Sequence, residues 1–435
     1  MNILLIGQCT LHWGRMEFGN IGNYYIIEPF IRELHNTFPH AIIRTTFQMS
    51  KEFCDRENVQ VLPMELYYGW NENDLDIALK ELSIATIYNK TGKVITKTKF
   101  IKEIINADLI IDFSGDIGGD NADFLGPNRF LIGLIKDRVA QLFNRPTVML
   151  AGSPGPFNNQ LTLEFAKEVF RNFDVVTNRE PVSMKVLNNA GFDTSNTYNA
   201  ACPSFLFKPE RNFDFENFLV REGIHKTDRP KAGFILCGWN FTEGPFDKWP
   251  RDARDYEHFA DAVEFMISEL NMDVFLMSHS NGFPIPPKEF ELQHGRDYPI
   301  IKQLQDLLLQ RGIKEHLHSI DGVYNAWETK AIIGNFDFLV SGRIHGAMAG
   351  LSQAVPTVII DYGHEPKAHK LEGFAQVLKV EEYVANPSSD SDLKNKIRSC
   401  YTNRYNITSR LNERKDENIK LIKKSFALIK RVTNA

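Results

Sequence analysis

The sequence predicts an α/β protein built from two doubly wound domains in succession. Three observations lead there. Short apolar runs recur along the chain, each followed by a loop rich in glycine or serine and then by a helical pattern. This alternation stops at a polar stretch, 208–229, and then begins again. The chain, at 435 residues, is also too long for one ordinary core and suits two domains of about 200 residues each.

In the first half, residues 3–6 form a continuous apolar run that ends at Gly7. Such runs suit strands buried on both faces of a parallel sheet. Gly19-Asn20-Ile21-Gly22-Asn23 follows, then a helical pattern through Ile26, Ile27, Phe30, Ile31 and Leu34. Further strands are read at 41–46, 59–62, 108–113, 147–151 and 174–177. Helices are read at 101–106, 130–143, 161–172 and 181–189. The run 108–113 leads into Ser114-Gly115-Asp116, and 147–151 leads into Gly152-Ser153-Pro154-Gly155-Pro156. Residues 208–229, with Pro209 and Pro230 as punctuation, read as a hinge.

In the second half, strands at 233–238, 273–278, 336–340 and 356–361 alternate with helices at 256–270, 300–310, 329–333 and 345–351. The three prolines of 283–298 mark a loop, and a long helix at 411–432 closes the chain. The expected domains are therefore 1–208 and 230–385, followed by a helical segment, 386–435. Two Rossmann-like domains facing a cleft, with a C-terminal closing helix, make a GT-B-like architecture. Ligands in such sheets bind at the carboxyl ends of strands.

Composition narrows the function classes. Hydrophobic residues are 43% and charged residues 24% of the chain, the balance of a soluble globular protein. The formal net charge of -5 gives no global preference for nucleic acid. Five scattered cysteines form no CxxC pair, which argues against a zinc site or a disulfide framework and for a reducing compartment. The first residues read as a buried strand rather than a signal peptide. No window reaches the roughly 18 apolar residues that span a bilayer. The expectation is a protein of the cytoplasm, or of the inner face of its membrane.

The strongest constellation is Ser341-Gly342-Arg343-Ile344-His345, where a buried strand ends, a glycine turns the chain and a helix begins. Free backbone N–H groups and the helix dipole make such a turn an anion site. Arg343 adds a planar fork that matches phosphate or carboxylate. His345 adds a proton donor or acceptor that titrates near neutrality. A surface arginine beside a capping histidine would fit the spacing equally well.

At this point the chain resembles the polysaccharide pyruvyl transferase family. The resemblance rests on Lys330 to Gly334, the Ser341–His345 run, Ala349-Gly350-Leu351-Ser352 and Val355-Pro356-Thr357. Asn20-Ile21-Gly22-Asn23, Gly152 to Pro156, Asn178-Arg179-Glu180 with Ser183, and Cys202-Pro203-Ser204-Phe205 follow in the family's order. The resemblance implies a transferase that takes phosphoenolpyruvate as donor, needs no other cofactor and builds a pyruvate ketal on a saccharide. It implies Arg343 and His345 as catalytic residues. It also places Arg179, Arg343, Ile344 and His345 at the donor, with His345 as the acid; Lys370 resembles a lysine that adds a positive charge there, with a solvated surface lysine as the alternative. The first domain would then be the acceptor side and the second the donor side. Asn23, Ser114, Asp116 and His279, at strand ends or in loops, are candidates for acceptor hydroxyls, with turn or capping roles as the alternative.

The chain departs from the family at Asn23, where an acid is common, at Ser114-Gly115-Asp116, which replaces a glycine run, and at Cys202, where aspartate is usual. All three lie in the acceptor half, which points to an unusual acceptor, with a changed donor as the alternative. Asp120, Asn121 and Asp123 lack EF-hand spacing, so no metal is expected. His364 and His369 read as surface residues. The closing helix sets Lys420, Lys423, Lys424, Lys430 and Arg431 beside Leu421, Ile422, Phe426 and Ile429. Such a helix either packs on the protein or rests on anionic lipid. A lipid-linked acceptor, a peripheral membrane contact and a homo-oligomer stay open. A nucleotide-sugar glycosyltransferase and a non-catalytic saccharide- or anion-binding protein are the alternatives, since fold does not decide between them.

Overall fold

The computed structural model describes residues 1–8, 19–115, 118–245, 248–284, 288–362 and 369–433. It forms two compact units, one of residues 1–16, 28–203 and 419–435, the other of 17–27 and 204–418. The expected Asp116 and His364 lie outside the described residues.

The first unit is a seven-stranded parallel sheet. Its strands are β1 (Asn2–Ile6), β2 (Ile42–Thr45), β3 (Val59–Val61), β4 (Leu109–Asp112), β5 (Thr147–Gly152), β6 (Val175–Asn178) and β7 (Thr197–Asn199). Their order is β3-β2-β1-β4-β5-β6-β7. The order in which successive strands join the sheet reverses between β1 and β4, which places a topological switch point at the loops after Ile6 and Asp112. The central strands are buried on both faces, as their continuous apolar runs require.

One long helix of this unit, Asp74–Thr91, is absent from the sequence reading. Its inward face mixes Ala78, Ile84 and Ala85 with Asp74 and Glu81, so no apolar stripe shows. The buried acids are satisfied. Glu81 pairs with buried Lys136 at 2.6 Å, and Asp74 accepts the N–H groups of Gly69 and Asn71. A buried charge is tolerable only with such partners.

The second unit repeats the plan. Its strands are β8 (Lys231–Ile235), β9 (Asp273–Met277), a short antiparallel pair β10 (Asn281–Gly282) and β11 (Gln293–His294), then β12 (Leu317–Ser319), β13 (Phe338–Ser341), β14 (Thr357–Ile360) and β15 (Val384–Ala385). The parallel sheet runs β12-β9-β8-β13-β14-β15, with its switch point between β8 and β13. The stretch expected as a hinge holds a helix, Phe215–Arg221, capped by Asp214 and anchored by buried Phe218 and Leu219. Its polar composition belongs to the exposed face. The stretch 283–298, expected as loop, contains β11 and the start of the helix Asp297–Gln310.

The segment boundaries also differ from the expected 208, 230 and 386. Residues 17–27 group with the second unit, because the start of the helix Ile21–Thr37 packs on His345 through Gly22. The closing helix is longer than expected, Arg404–Thr433, and its last part groups with the first unit. There Ile422, Phe426 and Ile429 are buried, with Phe426 edge-on to Phe30 at 5.4 Å. Lys420, Lys423, Lys424, Lys430 and Arg431 are exposed. The apolar stripe of this helix is thus taken up by the protein.

Candidate active site

β13 ends at fully buried Ser341, and the helix Ile344–Leu351 starts three residues later with Arg343 as its N-cap. The Ser341 hydroxyl donates to the Arg343 carbonyl at 2.8 Å and accepts the Arg343 N–H at 3.3 Å, which locks the turn. Gly342 is required by close approach, since a Cβ there would overlap Oδ1 of Asn240. Asn240 is fully buried just after β8. Its amide donates to the carbonyls of Gly342 and Ile360, and its Oδ1 accepts the Cys237 N–H. One side chain therefore ties together the ends of β8, β13 and β14 around the switch point.

Arg343 is held by a carboxylate that the sequence reading missed. Its Nε donates to Asp297 Oδ2 at 2.9 Å and its Nη2 to Oδ1 at 2.5 Å. Asp297 is fully buried. Burial acts to lower the guanidinium pKa, but Asp297 outweighs it and raises the value, so Arg343 stays charged. Nη1 makes no hydrogen bond among the described residues, and 11% of the side chain stays exposed. His345, in the first turn of the helix, lies edge-on to Phe374 at 6.1 Å. A Cβ on Gly22 would lie 2.6 Å from His345 Nδ1, so that glycine makes room for the ring. Ile344 is buried, which leaves its backbone N–H as its means of meeting a ligand. First-turn N–H groups have no carbonyl partner within the helix.

Lys370 sits in the first turn of the helix His369–Leu378, nearly buried, with Nζ 5.6 Å from the Tyr362 ring centroid. His279 follows β9 and is 1% exposed, edge-on to Tyr25 at 5.4 Å and behind Gly346. Burial, then the Arg343 charge, lower its pKa to about 3, so it is neutral at ordinary pH. Its Nε2 makes no hydrogen bond among the described residues and faces the interior. Asn23 is half-buried in the second unit. Arg343, Ile344, His345, Lys370, His279 and Asn23 thus all belong to one unit.

The first unit carries the rest. Arg179 follows β6, is 1% exposed, and donates from Nε to Ser153 Oγ at 2.9 Å. Its neighbours in the motif have structural roles. Glu180 accepts the N–H groups of Val182 and Ser183 and bonds the Ser183 hydroxyl, capping the helix Val182–Asn189. Ser114 lies at the switch point, its hydroxyl donating to Asp112 at 2.8 Å and accepting the Gln8 N–H at 3.1 Å. Burial raises the Asp112 pKa to about 7. Burial and then the Asp112 charge raise that of Asp137 well above the usual range. Neither acid was singled out from sequence. Asp112 closes an apolar strand and Asp137 falls on a helix whose inward face looks ordinary.

Among the described residues no group of three or more His, Cys, Asp or Glu side chains could hold a metal ion. No described helix is long and apolar enough to cross a membrane.

Two Rossmann-like units, each a parallel sheet with its own switch point, make a GT-B-like fold. Solved structures agree on the fold. A glycosyltransferase of Rickettsia africae ESF-5 superposes with a TM-score of 0.57 at 12% identity, over 99% of this chain and 96% of that one. Anabaena Alr3699/HepE in complex with UDP and glucose gives 0.55 at 12% identity, over 100% and 98%. The UDP-GlcNAc 2-epimerase of Methanocaldococcus jannaschii gives 0.53 at 13% identity, over 92% of each. At such identities the likeness shows the fold alone. Residues 20–364 match the family described as polysaccharide pyruvyl transferase, and the chain belongs to that family. It is also 24% identical over 377 residues to the amylovoran biosynthesis protein AmsJ of Erwinia amylovora, covering 84% of each chain.

Proposed function

We propose that this chain moves a pyruvyl group from phosphoenolpyruvate onto two hydroxyls of a saccharide destined for an extracellular polysaccharide. The observation that carries the reading is the turn at the second switch point. There a charged arginine with one free edge, a histidine and the N-terminus of a helix meet in one nearly buried place.

The donor carries a phosphate and a carboxylate on a three-carbon frame. Arg343 meets one of these anions through Nη1, the N–H groups of Ile344 and His345 support it, and Lys370 adds a further positive charge. His345 protonates the methylene carbon, which leaves an oxocarbenium-like centre at the neighbouring carbon. One acceptor hydroxyl adds there and loses its proton. The bond to the phosphate oxygen breaks, and the second hydroxyl closes the ketal. Of the two hydroxyl protons, one replaces the proton given to the methylene and the other leaves with phosphate. A placed acid contributes about 10²–10⁴-fold, and fixed charge at the developing cation and leaving group adds to it. The resemblance gives Arg179 a donor role, and position at strand ends or in loops makes Asn23, Ser114, Asp116 and His279 candidates for the acceptor. Each is tested by its own alanine variant.

The deciding assay is phosphate release from phosphoenolpyruvate across free and lipid-linked saccharides. His345→Ala should lose at least 10²-fold in kcat, by the same acid-catalysis scale, and keep donor binding, while Arg343→Ala should weaken donor binding. A melting temperature raised by a UDP- or GDP-sugar and untouched by phosphoenolpyruvate would sink the reading in favour of a nucleotide-sugar glycosyltransferase.

A further inference from the structure

We infer that Asp297 is the positioning residue for Arg343, and that it aims a charge-balanced guanidinium at the donor; this rests on the function proposed above. Asp297 engages the Nε and Nη2 edge of Arg343 with both carboxylate oxygens. It is the first residue of the helix Asp297–Gln310, where the dipole favours a negative charge. Its own N–H donates to Ser280 Oγ at 3.1 Å. The Ser280 carbonyl in turn accepts the Ser278 hydroxyl and the Gly295 N–H, both at 3.0 Å. The backbone that carries the carboxylate is therefore tied to the segment after β9, next to the switch point.

A buried ion pair is weak evidence for stability, because desolvation of both partners offsets their attraction. What this pair supplies is direction. Two of the three guanidinium nitrogens are taken, and the one left is Nη1. The other titratable groups near the pair do not replace Asp297. From the end of β9, His279 is neutral. From beyond β8, burial raises the Cys237 thiol to about 11, so it is uncharged. Tyr362, after β14, and Arg296, beside Asp297, supply no carboxylate. Among the described residues Asp297 is the one acid bonded to Arg343.

Two consequences follow and oppose each other. Removing the charge of Asp297 leaves Arg343 unbalanced, so it attracts anions more strongly. It also frees the guanidinium to swing, so the bound donor is no longer aimed. Asp297→Asn should bind inorganic phosphate and phosphoenolpyruvate about threefold to tenfold more tightly, the scale of one charge several ångströms away at the dielectric of water. Its kcat should fall about 100-fold, the scale of an ångström-sized misplacement. Asp297→Glu keeps the charge and shifts the carboxylate by one methylene. It should keep wild-type anion affinity with a smaller loss in kcat, and it serves if the asparagine variant folds poorly. In an Arg343→Ala background, Asp297→Asn should not lower kcat further.

Calorimetric titration with phosphate and with phosphoenolpyruvate, and steady-state turnover, decide the matter. Unchanged affinity and unchanged kcat in Asp297→Asn, with only a lower melting temperature, would overturn the inference. A wild type that releases no phosphate from phosphoenolpyruvate counts against the function alone. The phosphate titrations of the same variants then still decide whether Asp297 sets the charge balance of Arg343.

Discussion

Asp112→Asn should make the protein more stable in alkaline buffer and change little in acid. Asp112 closes β4, is 2% exposed, and has its pKa raised by burial from 3.8 to about 7. The groups around it are Ser114, which hydrogen-bonds it, Asp137, whose charge opposes it, and Tyr67 and Arg129 nearby. A carboxyl whose folded pKa lies above its unfolded value binds a proton more tightly when folded. The stability it contributes is therefore complete below about pH 4 and is lost as pH rises through about 7. At 1.36 kcal/mol per unit, the whole loss is on the order of 4 kcal/mol. An asparagine does not titrate. It keeps one oxygen for Ser114, where the carboxylate uses one oxygen for the N–H and the other for the hydroxyl, so one hydrogen bond of about 1 kcal/mol is lost at every pH. The variant should be slightly less stable than wild type at pH 4 and clearly more stable at pH 8, with a crossover between. Urea unfolding of both proteins at half-unit pH intervals measures this directly. A stability difference that does not vary with pH would refute the reasoning, because Asp112 would then be ionised and satisfied in the folded state.

Other changes test the site. Gly22→Ala places a methyl 2.6 Å from His345 Nδ1 and should displace the ring. Turnover should fall at least tenfold while the unfolding free energy drops by no more than overpacking allows, about 1–3 kcal/mol. Asn240→Ala removes the amide that joins three strand ends. It should cost about 2–4 kcal/mol in unfolding free energy, the sum of a few buried hydrogen bonds, with turnover reduced in the protein that remains folded.

Much of the fold is legible in the sequence because parallel strands buried on both faces are written as unbroken apolar runs. Residues 3–6, 108–113 and 336–340 each lie on or beside the strand they announce. The helix at 74–91 was illegible because its inward face holds Asp74 and Glu81, and only Lys136, 55 residues further on, makes the second of these tolerable. The helix at 215–221 was hidden by its own exposed charges.

The candidate site divides in the same way. The turn from Ser341 to His345 could be read by itself, since a strand end, a glycine and a helix start are local events that few residues dictate. Its residues alone suggested an anion site with an arginine and a histidine, and a surface arginine beside a capping histidine fitted them equally well. Only the tertiary structure decided what that arginine is. Asp297 lies 46 residues away in sequence, at the start of a helix that any of several acids could have begun. It reaches Arg343 because β9 and β13 both flank β8, which sets the loops after β9 and β13 on either side of β8's carboxyl end. Likewise Gly22 looked like part of an N-terminal loop, and packing set it against His345 in the second unit. Local steric and hydrogen-bond rules act over a few residues and can be read along the chain. The balance of buried charge depends on which distant segments the sheet order brings together, and no local pattern records that.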